Sequence, residues 1–186
     1  IITFMSMIVM LDAVVGRIKE IKTMPIQEGK NQMSIKNYDI EFNDVHFGYD
    51  DYSVINGVSF TAKQGEITAL IGSSGSGKTT LTKLAARFWD VDKGKICIGG
   101  EDVSEVDPEI LLKNFSIVFQ EVILFNSSIK DNIRIGKKGA TDEEIVRAAK
   151  IARCYEFINK MPEGIDTIIG ENGQRLSGGE RQRISI

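Results

Sequence analysis

Gly72-Ser73-Ser74-Gly75-Ser76-Gly77-Lys78-Thr79-Thr80 is the stretch whose reading decides the fold. Ahead of it, Glu66-Ile67-Thr68-Ala69-Leu70-Ile71 is a short apolar run that predicts a buried strand. Behind it, Leu81-Thr82-Lys83-Leu84-Ala85-Ala86-Arg87-Phe88 carries apolar residues at helical spacing. Strand, glycine-rich turn and helix form the setting in which G-x-x-x-x-G-K-[ST] binds phosphate. The glycines admit backbone conformations closed to other residues, so successive N–H groups can point into one concavity. A helix N-terminus at the same place adds the dipole's attraction for anions. In that arrangement Lys78 reaches the β- and γ-phosphates and the Thr79 hydroxyl ligates Mg²⁺. The competing reading, a Ser/Gly-rich surface turn with a lysine in it, does not account for the flanks.

The rest of the composition is permissive. With 186 residues, 42% apolar and 26% charged, the chain can bury the core of one α/β domain and carry a short appendage. A net charge of -3 gives no support to nucleic-acid binding, which usually shows a basic face. Cys97 and Cys154 lie far apart and match no metal-ligand spacing, so reduced structural thiols are expected. A single histidine, His46, excludes any multi-histidine metal site and reads as a structural or surface residue on a strand. The chain starts at Ile1 and stops at Ile186 inside a helical pattern, which reads as a piece of a longer polypeptide.

Upstream of the phosphate loop, Ile1–Leu11 is apolar apart from Thr3 and Ser6. Eleven residues are about half of what a bilayer crossing takes. The run suits a core helix, a signal-peptide core without its basic start, or the last turns of a membrane helix. Asp12–Lys22 turns amphipathic and carries Arg17, Lys19 and Lys22, which suits a helix leaving a membrane on its cytoplasmic side. Met24-Pro25 ends it, and Ile26–Asn37 is a polar connector. Tyr38–Val45 alternates as a half-buried strand does, Asp50-Asp51 marks a turn, and Val58–Ala62 reads as the antiparallel partner. Gly65 then turns the chain into the phosphate-loop run.

Downstream, Lys95–Ile98 is a short strand ended by Gly99-Gly100, and Pro108 suits the first turn of a short helix. Phe115–Phe119 reads as a buried strand ending at Gln120. From Ser127 the pattern is helical. Thr141 with Glu144 is a capping box, Tyr155–Met161 is a further helix stopped by Pro162 and Gly164, and Ser177 with Glu180 is a second capping box. Ser177-Gly178-Gly179 at that helix start makes a second anion site, separate from the first. No internal repeat or low-complexity stretch is present.

Leu176-Ser177-Gly178-Gly179-Glu180-Arg181-Gln182-Arg183, roughly a hundred residues after the phosphate loop, resembles the signature motif of ATP-binding cassette (ABC) transporters. The resemblance runs from about Tyr38 to the end. It implies a P-loop NTPase (RecA-like) α/β core with an antiparallel β subdomain and an α-helical subdomain, incomplete at the C-terminus. It also implies ATP and Mg²⁺ as ligands. Tyr49, in Phe47-Gly48-Tyr49, is similar to the family's adenine-stacking aromatic, with Tyr52 as the fallback. Gln120 matches the glutamine that contacts Mg²⁺ and the attacking water, and Glu121–Phe125 would lie near the groove that receives the membrane domain. Thr167–Gly173 resembles the segment before the signature in exporter-type members, where Glu171 either senses the transmembrane partner or is a solvated loop acid.

The domain organisation implied is 1–22 as the end of the last transmembrane helix with its cytoplasmic extension, 23–37 as linker, and 38–186 as the nucleotide-binding domain. The run Ala86-Arg87-Phe88-Trp89-Asp90, together with Arg153-Cys154, resembles bacterial half-transporters linked to iron-siderophore traffic. Partners implied are a second nucleotide-binding domain and a fused transmembrane domain, with no nucleic acid; the location implied is the cytoplasmic face of a membrane. The family's acidic strand, with its magnesium-binding Asp and catalytic Glu, and its switch histidine would follow the signature, beyond Ile186. The sequence by itself is therefore expected to be inactive as an ATPase, and its parent active. A soluble ABC ATPase acting as a mechanical switch in DNA repair or translation, and a regulatory module that does not hydrolyse ATP, remain as alternatives.

Overall fold

The computed structural model describes residues 2–24 and 26–186, and of residues 2–9 the backbone alone. The chain separates into two compact units, residues 1–115 and 116–186.

In the first unit, helix α1 spans Ile2–Thr23. It joins into one element the apolar run and the amphipathic run read from the sequence. The membrane expectation for Ile1–Leu11 rests mostly on side chains outside the described residues. Leu11, Val14, Val15, Ile18 and Ile21 are exposed along the helix. Among the described residues, no helix is long and apolar enough to cross a membrane.

Strands β1 (Ile40–Tyr49), β2 (Tyr52–Ala62), β3 (Lys93–Ile98) and β4 (Glu101–Asp102) form an antiparallel sheet in the order β2-β1-β3-β4. Asp50 and Asp51 make the β1–β2 turn, with Asp50 at φ 50°, a conformation Asp tolerates better than most residues. Phe42, Val45 and Phe47 of β1 are buried, and a register shift between Phe42 and Val45 interrupts the strict alternation read from the sequence. Phe42 stacks on its register partner Phe60 with ring centroids 4.4 Å apart. Those strands share one core with Leu81, Leu84 and Ala85 of helix α2 (Lys78–Ala85), and with Val106 and Leu111 around helix α3 (Pro108–Leu112). Cys97 is buried on β3 as a free thiol.

Two sequence expectations are corrected here. Glu66–Ile71 and Phe115–Phe119 are not strands of the described sheet. Ile67 and Ile71 are 100% and 94% exposed, while Leu70 alone packs towards the core. Ile117, Val118 and Phe119 are also exposed. A run apolar on both faces becomes a buried strand only where neighbours flank and cover it. The four described strands pair antiparallel among themselves and take up neither run.

The second unit is helical. It contains α4 (Ile129–Arg134), α5 (Asp142–Ile151), α6 (Tyr155–Ile158) and α7 (Gly178–Ser185). Both predicted capping boxes are formed, at Thr141–Glu144 and Ser177–Glu180. Its core gathers Leu124, Ile129, Ala149, Cys154, Ile158, Ile169, Leu176 and Ile184. Burial pushes the Cys154 thiol above its ordinary range, which suits an inert packing residue.

Candidate phosphate site and signature helix

The phosphate loop is solvent-open from Gly72 to Ser76, and the chain enters α2 through Gly77. Gly75 and Gly77 stand at φ 79° and 86°, the left-handed region that favours glycine. A turn closes between the Ser76 N–H and the Ser73 carbonyl at 3.3 Å. The Lys78 ammonium, half-buried, folds across this turn and donates to the carbonyls of Gly72 (2.9 Å) and Ser73 (2.6 Å) and to Ser76 Oγ (3.3 Å). Thr79 is exposed at the first turn of α2, whereas Thr80 is buried and belongs to the helix's packing face. An open, serine-lined loop, a lysine at its mouth and a helix N-terminus behind it fit a polyphosphate chain. A β-carbon on Gly72 would meet Ser76 Oγ at 2.6 Å, a contact that rotation of the serine hydroxyl would relieve.

Tyr49 lies in the same unit at the end of β1, paired in register with Tyr52. It remains 37% exposed. Its ring meets Phe47 at 4.9 Å and Trp89 at 5.2 Å between centroids, both nearly perpendicular. Tyr52, the fallback, is more exposed and sits in no aromatic cluster among the described ring contacts.

In the second unit, Leu176 is buried and anchors the signature segment, while Ser177, Gly178 and Gly179 are exposed. Ser177 Oγ accepts from the Glu180 N–H at 3.3 Å, and Glu180 Oε2 accepts from the Ser177 N–H (2.8 Å) and hydroxyl (2.7 Å). These hydrogen bonds, the backbone one foremost, hold the Glu180 carboxyl below the usual carboxylate range. The reciprocal cap leaves Gly178 and Gly179 at the solvent-facing start of α7. The Arg181 guanidinium closes the other side of the entry by donating to the Leu176 carbonyl at 2.8 Å.

Gln120 sits in an exposed bend of the second unit, so the strand-end position read for it is not realised. The segment that follows is fixed by two asparagines that the sequence reading passed over. Asn172 Oδ1 accepts from the Leu124 N–H at 3.1 Å. The buried Asn132 accepts from the Phe125 N–H at 2.8 Å and donates to the carbonyls of Phe125 (3.1 Å) and Ser128 (2.9 Å). Asn172 belongs to the Thr167–Gly173 stretch and takes φ 49°. Among the described residues no group of three His, Cys, Asp or Glu side chains could hold a metal ion.

Comparison with known proteins gives the family. The family model described as "ABC transporter" covers residues 55–186. The ATP-dependent lipid A-core flippase of Syntrophus aciditrophicus is 47% identical over 147 residues, which is 79% of this chain and 24% of that protein. The mitochondrial iron-sulfur clusters transporter ATM1 of Saccharomyces cerevisiae is 43% identical over 170 residues, 84% of this chain and 25% of that protein. A bacterial Atm1-family ABC exporter with ATP bound is similar in structure, with a TM-score of 0.89 and 36% identity over 94% of this chain and 31% of that one. The chain thus spans about a quarter of the length of the curated relatives it matches. With the family model matching residues 55–186, well over half of its length, the chain belongs to the ABC transporter family.

Proposed function

We propose that the chain supplies the ATP-binding part of an exporter-type ABC transporter on the cytoplasmic face of a membrane. Tyr49 stacks on adenine. Residues Gly72, Ser73, Ser74, Gly75, Ser76 and Gly77 wrap the phosphates with backbone N–H groups, with Thr80 in the same helix turn. Lys78 leaves its own loop's carbonyls for the β- and γ-phosphates. By the family resemblance Thr79 would hold Mg²⁺, whose charge would offset that on the phosphates, and Gln120 is the candidate for a further contact to it. Ser177, Gly178, Gly179 and Glu180 act on the nucleotide held by a second nucleotide-binding domain, so each ATP joins two domains and its hydrolysis releases them. That opening and closing is passed to fused membrane domains as a switch between two orientations.

The observation that carries this reading is the open start of α7. Leu176 is tucked into its own core while Ser177–Gly179 face solvent, the posture of a helix end presented to another molecule. Hydrolysis belongs to the proposal for the intact protein, since the chain spans about a quarter of the length of the curated relatives it matches. Lys78→Ala in the intact protein tests the assignment: ATP turnover and ATP-driven transport should both be lost. Transport at the wild-type rate would contradict it.

A further inference from the structure

The turn that follows α2 is built around the end of β1. Asp92 Oδ2 accepts from the Gly48 N–H at 2.8 Å, and the Asp92 N–H donates to the His46 carbonyl at 2.9 Å. These two bonds fasten the backbone on either side of Phe47, immediately before Tyr49. Trp89, in the same turn, packs perpendicular to Tyr49 at 5.2 Å and tilted against Phe47 at 6.1 Å. The Lys83 ammonium of α2 also lies 5.5 Å from its ring centroid. Aromatic pairs favour such edge-to-face geometry, and a cation over an indole face adds attraction. One tryptophan therefore touches both the phosphate-loop helix and the aromatic at the end of β1.

We propose that Trp89 and Asp92 are positioning residues for the base. They fix the plane and height of Tyr49 relative to α2, so that the distance between an adenine on Tyr49 and phosphates on the loop is set by one turn. This rests on the stacking role given to Tyr49 above. A ring that is held in place before ligand arrives loses less freedom on stacking than a mobile one. The contribution should therefore be read in affinity for ligands with a base, and not in affinity for a bare phosphate chain.

The test uses the intact protein with MgATP and, as a probe lacking a base, inorganic tripolyphosphate as a competitive inhibitor. Trp89→Leu and, independently, Asp92→Ala should each raise the KM for ATP about 3- to 10-fold with little change in kcat, a part of what one stacked base is worth. Tripolyphosphate inhibition should be unchanged, and Trp89→Phe should restore KM to near wild type. Equal weakening of ATP and tripolyphosphate would overturn the proposal, since that is the pattern of general damage to the loop. So would a wild-type KM in Trp89→Leu and Asp92→Ala alongside a raised KM in Tyr49→Ala, which would leave the stacking role standing. An unchanged KM in Tyr49→Ala would overturn the stacking role and this inference together.

Discussion

The Cδ1 atom of Ile55 stands 2.5 Å from the point a β-carbon on Gly77 would occupy. Ile55 is buried on β2 and pairs in register with Phe47 of β1, so the sheet end that carries Tyr49 also sets the floor beneath the phosphate loop. Position 77 favours glycine for its φ of 86°, and a β-carbon there would in addition press on this methyl.

Gly77→Ala should therefore lower both stability and nucleotide affinity. Left-handed backbone in a residue with a β-carbon costs about 1–2 kcal/mol. Ile55→Val, which removes the interfering methyl, should recover part of the loss in a double variant. Denaturant midpoints and ATP binding of the two single variants and the double variant measure this.

Arg87 supports the end of α2 from an unusual backbone conformation. Its N–H donates to the Leu84 carbonyl (2.9 Å) and the Phe88 N–H to the Lys83 carbonyl (3.0 Å), a Schellman ending with an arginine at φ 53° where glycine is usual. The side chain is 5% exposed, pairs with Asp90 at 2.8 Å, and donates to the carbonyls of Val106 and Glu28. Arg87→Ala should destabilise by about 2–3 kcal/mol through the lost charged hydrogen bonds. Arg87→Gly should be milder by about 1 kcal/mol, because glycine relieves the left-handed strain. Equilibrium unfolding of both variants would show the order.

Asn132, 8% exposed, satisfies both the N–H and the carbonyl of Phe125. Asn132→Ala leaves both groups without that partner and should cost about 2 kcal/mol. Hydrogen exchange should rise first at Phe125, because its N–H bonds Asn132 directly.

The Ser177–Glu180 cap carries a pH dependence of known sign. The Glu180 carboxyl is held below its ordinary value of 4.5 in the folded chain, chiefly by the Ser177 backbone hydrogen bond. Its contribution to stability is therefore complete above the unfolded value and is lost as pH falls through the lower folded value. The stability difference between wild type and Glu180→Ala should be constant near neutrality and shrink on acidification below about 4.5. Ser177→Ala should cost about 1 kcal/mol at neutral pH.

Much of this was legible in the sequence because it is local. Gly72–Thr80, the two capping boxes and the Asp50-Asp51 turn each specify their geometry within a few residues. Glu66–Ile71 and Phe115–Phe119 were misread because an apolar run reports a wish for burial, while strand formation depends on neighbours elsewhere in the chain. Trp89 and Asp92 were hidden for the same reason. Their partners Tyr49, Gly48 and His46 lie some forty residues away on β1, and a tryptophan after a helix gives no sign of which ring it will meet. Asn132 and Asn172 gave no pattern at all, since neither an asparagine seven residues from the amide it caps nor one 48 residues away follows a periodicity.

The central claim is that one ATP is held by the phosphate loop of one copy and the α7 start of another. Mixed dimers of the intact protein, carrying Lys78→Ala and Ser177→Arg either on different subunits or both on the same subunit, test it by nucleotide occlusion. With the two changes on different subunits, both fall in one shared site, and the other site should stay whole and retain ATP. With both on the same subunit, each shared site is broken, and retention should vanish. The inverse pattern, retention only when both changes sit on the same subunit, would mean that each copy completes its own site and would contradict the account.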